Sequence, residues 1–287
     1  EKNFKNIYEK EEYLKEITKE TVDYHHVSDV PRTLLLSSGI DSNILLSSMS
    51  ESNKKNCSAL TLDFNFEGKM NETVLATESA KINNINHSSE IVSEDEFVKL
   101  IDVFFKNMDS PTDDGLNNFL ISNIAKKQNS KIIISGIGGD ELFFGYPSFK
   151  YIPKLNSFLK KFPDIKIINS FFENYLYRFL KTKKLNMKYS GIFKYGRNLN
   201  SAFLLKRSLF LPQEIEELIS KKEFKDGYEE LNFLDNSLNE IEKIKDKKLS
   251  IMYLEIKYYL CSKFLRDSDW ASMSNSVELR TPFVDWF

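Results

Sequence analysis

The sequence predicts an α/β protein with a mostly parallel, doubly wound sheet and a helical C-terminal part. Three observations predict it. Short, nearly continuous apolar runs such as Leu34-Leu35-Leu36 and Ile132-Ile133-Ile134 lack in–out alternation, as central parallel strands do. Stretches with helical apolar spacing separate those runs. Beyond about residue 150 strand-like runs cease and helical spacing takes over. With 287 residues, 41% of them hydrophobic, the chain can bury a large core.

Taken in order, residues 4–25 carry Ile7, Leu14, Ile17 and Val22 on a charged background, predicting an amphipathic surface helix. Asp29-Val30-Pro31 ends it, because a residue before proline disfavours the helical region. Thr33 to Leu36 reads as a strand, Ser37 to Ser42 as a tight loop, and Ile44 to Met49 as a helix. Ala59 to Leu62 is a second strand and 71–83 a helix. A third strand lies near Ile91-Val92, followed by helices over 94–107 and 115–128. Lys131 to Ser135 is a fourth strand, leading into Gly136-Ile137-Gly138-Gly139-Asp140-Glu141. This part, residues 1–150, reads as one α/β core. In 151–287, residues 155–180 have helical aromatic spacing interrupted at Pro163. That stripe reads as core rather than as a cofactor box. Residues 212–266 are mainly helix, and the lysine-rich Lys181 to Lys184 and Lys243 to Lys248 are solvated faces.

Composition excludes several classes. Forty basic and 42 acidic side chains leave a formal net charge of −2, without the basic excess of a nucleic-acid binder. Cys57 and Cys261 form no C-x-x-C pair, so neither a disulfide framework nor a zinc site is expected. No uncharged apolar run has membrane-spanning length, and the charged start is not a signal peptide. A cytoplasmic protein is the expectation. His25, His26 and His87, the three histidines, are assigned to neither metal nor catalysis. His25 and His26 close the first helix, where an imidazolium suits the dipole.

The Ser37-Ser38-Gly39-Ile40-Asp41-Ser42 loop is the first chemical signal. Small residues let a backbone approach an anion closely, and the following helix N-terminus adds a positive concavity for phosphate. An aspartate inside such a loop would repel phosphate unless a divalent cation lay between them, so Asp41 implies Mg²⁺. The alternative is an ordinary turn capped by Asp41 or Ser42. No Walker loop is present, since Arg197-Asn198 follows Gly191 and Gly196, and Glu141 replaces the third glycine of a G-x-G-x-x-G.

Three blocks in order resemble the asparagine synthetase family, within the ATP pyrophosphatase superfamily. Ser28-Asp29-Val30-Pro31 through Leu36 to Ser42 is similar to S-D-V-P…L-S-G-G-x-D-S. Ser135 to Tyr146 is similar to S-G-x-G-G/S-D-E-L/V-F-G-G-Y. Leu265 to Asp285 resembles L-x-R-x-x-D-x-x-S-M-x-x-x-x-E-x-R-x-P-F-L-D. The resemblance implies an adenine nucleotide alpha hydrolase-like fold and an ATP-dependent amidoligase that forms an acyl-adenylate, releases pyrophosphate and amidates with ammonia. It implies a pyrophosphate loop of Ser37, Gly39, Asp41 and Ser42. Asp41 and Asp140 would hold Mg²⁺, and Ser37 would join them in catalysis. Leu36, Leu62, Ser135 and Gly136 would line the AMP portion, with Asp269 and Arg280 in support.

The chain departs from the family pattern at several places. Ser38 stands for the usual second glycine, acceptable if that position needs no positive φ. Ile137 stands where glutamine-dependent members commonly carry a glutamate, a candidate proton acceptor. Ser110 to Asn117, which corresponds to an acceptor-contacting region, is acidic; Asp113 and Asp114 would favour an acceptor bearing an amine or hydroxyls, or else cap the next helix. The family pattern includes an N-terminal glutaminase domain and a C-terminal tail lysine, and neither is found within 1–287. The resemblance therefore supports amide formation more firmly than aspartate as substrate. A sugar acid of surface-polysaccharide biosynthesis and an inert nucleotide-binding relative are the alternatives; near-neutral charge and unpaired cysteines disfavour a tRNA-modifying relative. Expected partners are a glutaminase domain or subunit supplying ammonia and a small carboxylate, with no nucleic acid or membrane. A homodimer, the commonest closed oligomer, is left open.

Overall fold

The computed structural model describes residues 2–63, 72–112, 114–163, 175–183 and 186–285. It divides into two compact units, Glu1–Leu142 with Tyr259–Phe287, and Phe143–Tyr258. The expected division at residue 150 did not include the return of residues 259–287 to the first unit. Their short strand supplies the reason: it pairs with the sheet.

In the first unit, five strands line up in parallel in the order β3-β2-β1-β4-β5. They are β1 (Arg32–Leu35), β2 (Cys57–Asp63), β3 (Asn86–Ile91), β4 (Ile132–Ile134) and β5 (Glu278–Arg280). The register pairs Leu34 with Ala59 on one side and with Ile134 on the other. Side chains alternate across the sheet, as the pleat requires. Leu34, Ala59, Ile132 and Ile134 pack with Val22 of α1 (Ile7–His25), Leu45 and Leu46 of α2 (Ile40–Ser48) and Ala76 and Ala80 of α4 (Glu72–Ile82). Leu35, Leu60, Leu62 and Ile133 face the other way, onto Ile121, Ile124 and Ala125 of α6 (Gly115–Lys127). Phe104 of α5 (Glu94–Asn107) and Ala271 of the helix Leu265–Met273 join Phe119 and Leu120 on the side of α6. Helices therefore cover both faces, and the sheet is doubly wound.

Local chemistry sets the helix ends. Asn6 caps α1 by accepting the Glu9 N–H at 2.9 Å, and Ser93 caps α5 through the Glu96 N–H at 3.3 Å. A short α3 (Glu51–Lys55), which the spacing does not announce, starts from Ser50. Asp23 of α1 accepts from the Ser50 N–H and from Asn53 at 3.0 and 2.7 Å. Among the described residues no helix is long and apolar enough to cross a membrane.

The second unit is helical. Its core gathers Phe149, Ile152, Phe203, Ile241, Ile251 and Leu254. Fully buried Glu255 accepts from Ser148 at 2.6 Å and from Arg207 at 2.8 Å. The aromatic stripe is not the core that its spacing predicts. Phe158, Phe162, Tyr175 and Phe179 are exposed, while Leu159 and Leu180 are buried. The helix Ser148–Leu159 starts earlier than expected, so its inward face runs through Phe149, Ile152, Asn156 and Leu159. Phe158 and Phe162 pack edge-on against each other instead. Ile165, Ile168, Phe171 and Phe172 of the stripe lie outside the described residues.

Candidate active site

Strand order places the site. Going from β1 to β2 and β3 the sheet grows one way, and from β1 to β4 and β5 the other. Ligands of open α/β sheets bind beyond the carboxyl ends of the strands where that direction reverses. The loop after β1 holds Ser37 to Gly39, and the loop after its neighbour β4 holds Ser135 to Gly138. Asp41 and Asp140 sit in the first turns of the two helices that follow, α2 and α7 (Gly139–Leu142).

The first loop is braced from within. The Ser37 N–H donates to Ser42 Oγ at 3.2 Å, and the two serine hydroxyls are 3.1 Å apart. The Gly39 N–H donates to Ser37 Oγ at 3.1 Å. Asn43 donates to the carbonyls of Ser37 and Gly39 at 3.0 and 2.7 Å. The N-cap of α2 is Gly39, with no side-chain cap, so neither Asp41 nor Ser42 makes the capped turn of the alternative reading. First-turn N–H groups have no intrahelical acceptor and suit an anion. Ser38 is not among the positive-φ residues, so serine fits its backbone without strain.

The second loop is shaped around Asp41. A Cβ on Gly139 would lie 2.5 and 2.6 Å from the two Asp41 carboxylate oxygens, and one on Gly136 would lie 3.0 Å from Asp41 Cβ. The Asp140 N–H donates to the Asp41 carboxylate. Burial, and then the Asp140 charge, push the Asp41 carboxyl above its usual range against that hydrogen bond. Two carboxylates thus converge where a cation would relieve them. Among the described residues no cluster of three or more metal-ligating side chains occurs. A pair of carboxylates suits Mg²⁺, which keeps waters and takes phosphate oxygens for the rest.

The other expected residues divide. Leu36 closes β1: its N–H donates to the Leu60 carbonyl at 3.0 Å, and Thr61 donates to its carbonyl at 2.7 Å. Leu62 is near the end of β2, beside it. The Ser135 N–H donates to the Arg280 carbonyl at 2.9 Å, tying β4 to β5. The Arg280 guanidinium donates to the carbonyls of His25 and Val27 at 2.8 and 2.9 Å, so it fastens the end of α1. Asp269 is exposed. Its neighbour Asp267 is fully buried and accepts from Thr112 at 2.5 Å and from Arg266 at 3.1 Å. Helical spacing could have found it, since position 267 shares a face with Phe264 and Ala271. Gly138, at φ +99°, adopts a conformation open to glycine; a Cβ there would meet Val284 at 2.5 Å.

The acidic segment is partly neutralised. Asp114 accepts from Tyr259 at 3.1 Å and pairs with Lys263 at 3.6 Å. Thr112, rather than an aspartate, takes the Asp114 and Gly115 N–H groups at 3.2 and 2.8 Å. Asp113 lies outside the described residues. Ile137 is buried. His26 is not the imidazolium the sequence suggests: burial and the neighbouring Arg32 bring its pKa down to about 4.

The family model for asparagine synthase matches residues 13–286. Asparagine synthetase (glutamine-hydrolyzing) 1 of Bacillus subtilis is 26% identical over 300 residues, covering 99% of this chain and 44% of that protein. A putative asparagine synthetase (glutamine-hydrolyzing) 2 of Methanocaldococcus jannaschii is 29% identical over 308 residues, covering 98% and 53%. The chain thus spans about half the length of these relatives. Among solved structures, the NH3-dependent NAD synthetase of Campylobacter jejuni aligns with a TM-score of 0.32 at 20% identity, over 68% of this chain and 97% of that one.

Proposed function

The chain belongs to the asparagine synthase family, and from that premise we propose that it is the ATP-using part of an AMP-forming amidoligase. One observation carries this reading: Asp41 rests on the Asp140 N–H, in space that Gly136 and Gly139 leave free, beside a second carboxylate. An acid pair held this way at the strand ends suits a metal-bound triphosphate.

In this reading Asp41 and Asp140 hold Mg²⁺, and the Ser37–Ser42 loop with the N-terminus of α2 takes phosphate oxygens. Mg²⁺, when bound, neutralises charge that builds as pyrophosphate departs. Ser37 braces the loop rather than reacting. Leu36, Leu62, Ser135 and Gly136 form the wall for the AMP portion. A carboxylate is a poor acyl donor; attack on the α-phosphorus converts it to an acyl-adenylate, and ammonia then displaces AMP. The protein's work is to orient the acid and exclude water. With aspartate as the acid the intermediate is β-aspartyl-AMP and the product asparagine. Ammonia would come from glutamine through a glutaminase domain or subunit, in the cytoplasm. Since Ile137 cannot accept a proton, the proton of the attacking amine passes to another group or to phosphate.

Two other readings have their own support. The Asp114–Tyr259–Lys263 cluster offers both charges and a hydroxyl, which suits a sugar acid as well as an amino acid. Apolar Ile137 favours an inert nucleotide-binding relative. Pyrophosphate release from Mg-ATP and ammonia, measured across aspartate, other amino acids and uronic acids, separates the three. Acid-dependent AMP and pyrophosphate support the ligase and name its acceptor class. ATP binding with no product from any acid supports the inert reading, and no ATP binding refutes all three.

A further inference from the structure

His87, to which the reaction above gives no role, lies on β3 at the head of a hydrogen-bonded chain. Its Nε2 is 2.8 Å from Thr61 Oγ1, and Thr61 Oγ1 donates to the Leu36 carbonyl at 2.7 Å. Its Nδ1 is 3.3 Å from Thr77 Oγ1, and Thr77 donates to the Thr73 carbonyl at 2.7 Å. Thr73 in turn donates to Asp63 at 2.7 Å. Thr61 is buried.

A threonine hydroxyl has one proton. That of Thr61 goes to Leu36, so His87 must be the donor across the Thr61 contact, through an Nε2–H. That of Thr77 goes to Thr73, which leaves the longer Nδ1 contact without a proton in a neutral ring. Burial lowers the pKa of His87, in keeping with a neutral imidazole. The distances therefore select the Nε2–H tautomer.

The backbone register gives this chain a consequence. The Leu36 N–H donates to Leu60, so a continuing parallel ladder would bring the Leu62 N–H to the Leu36 carbonyl. Thr61 supplies that donor instead, and among the described residues the Leu62 N–H makes no bond to that carbonyl. The Leu62 amide stays at the strand end, facing the side where β1 gives way to the phosphate loop.

We propose that His87 is a positioning residue for the nucleotide: by orienting Thr61 it keeps the Leu36 carbonyl satisfied and leaves the Leu62 N–H as a donor to a heteroaromatic base. The inference rests on the ATP reading, because it concerns the base end of the same ligand. It separates that end from the phosphate end, which the Ser37–Ser42 loop serves.

The test compares dissociation constants of ATP and of inorganic tripolyphosphate, each with Mg²⁺, for the parent chain, His87→Ala and His87→Gln. Glutamine places an amide donor near the position of Nε2. His87→Ala weakens ATP binding by about five- to tenfold, the worth of one neutral hydrogen bond, and leaves tripolyphosphate binding unchanged. His87→Gln restores ATP binding. Unchanged ATP affinity in His87→Ala overturns the inference alone. Equal losses for both ligands, tracking a fall in melting temperature, make His87 merely structural. A parent chain that binds neither ligand overturns the ATP reading and this inference with it. Nitrogen NMR of the unaltered protein gives an independent check, and a resting Nδ1–H tautomer would also overturn it.

Discussion

Gly139→Ala is the most discriminating perturbation of the site. The added methyl would lie 2.5 and 2.6 Å from the Asp41 carboxylate oxygens, about 1 Å inside van der Waals contact. Gly139 has no positive φ, so alanine suits its backbone, and the change stiffens the unfolded chain by about 0.4–1 kcal/mol in favour of folding. What must move is the short Asp41 side chain. Its swing breaks the bond from the Asp140 N–H, a charged hydrogen bond worth about 1.5–3 kcal/mol. It also releases the carboxylate from burial and from the Asp140 charge, the two larger influences on it, which offsets that loss. The net change in stability stays within about 1 kcal/mol, a shift of a few degrees at most in a thermal melt. Turnover suffers far more, because displacing a ligand by about 1 Å costs on the order of 10²-fold. Acid-dependent pyrophosphate release and a melting curve on the same preparation measure the two. If Asp41 is the affected part, Gly139→Ala with Asp41→Ala loses no more turnover than Asp41→Ala alone. Near-parental turnover in Gly139→Ala, or additive losses in the pair, would refute the placement of Asp41 at the reacting phosphates.

Other expectations follow from the same geometry. Asp41→Ala cuts ATP-dependent turnover to a small residual rate and leaves the melting temperature at pH 7 unchanged or higher. The carboxyl has a raised folded pKa, so its charged form opposes folding above that pKa, and the gain fades as pH falls through it; melts at pH 4 and pH 8 read the difference. Asp140→Asn weakens Mg-ATP binding while holding stability within about 0.5 kcal/mol, because the N–H that supports Asp41 is backbone; equal losses in titration and melt would make Asp140 structural. His26 has a folded pKa of about 4 against roughly 6.5 unfolded. The unfolded state therefore takes up protons first, and stability, full above pH 6.5, declines toward pH 4 by on the order of 3 kcal/mol. Denaturant titrations at pH 5 and pH 8 show a smaller difference in His26→Asn, which keeps an acceptor for Arg32.

The sheet was legible where strands are buried on both sides. Thr33–Leu36, Ala59–Leu62 and Lys131–Ser135 fall on β1, β2 and β4 with shifts of a residue or two. β3 was placed only at its last residue, because Asn86-His87-Ser88-Ser89-Glu90 is largely polar, as an outer strand with exposed positions allows. β5 was missed for a different reason: three residues, Glu278-Leu279-Arg280, become a strand only because β4 is there to pair with them. Loop chemistry was legible as residue types. The closeness of Asp41 and Asp140 came only through the family resemblance, since it depends on β1 and β4 being neighbours. Phe144 shows the limit of pattern reading. It stands where the compared motif has glycine, and it keeps a left-handed φ of 58°, a strained value for a bulky residue. Its ring meets Phe149 edge-on at 4.9 Å and packs on the core of the second unit.

Sequence blocks shared with a family mix chemistry with construction, and the geometry separates the two. The third block contributes no acid to the pair at the strand ends. Arg280 ties the end of α1 and, through its carbonyl, the last bond of β4. Val284 lies where any side chain on Gly138 would have to go. These contacts fix the turn from which Gly139 and Asp140 project, and that turn positions the N–H on which Asp41 rests. A carboxylate pressed against a second one is unfavourable unless its surroundings permit little else. The return of the chain after residue 259 is thus part of the site without touching the reacting atoms. That is why the division of labour could be read only from the paired strands.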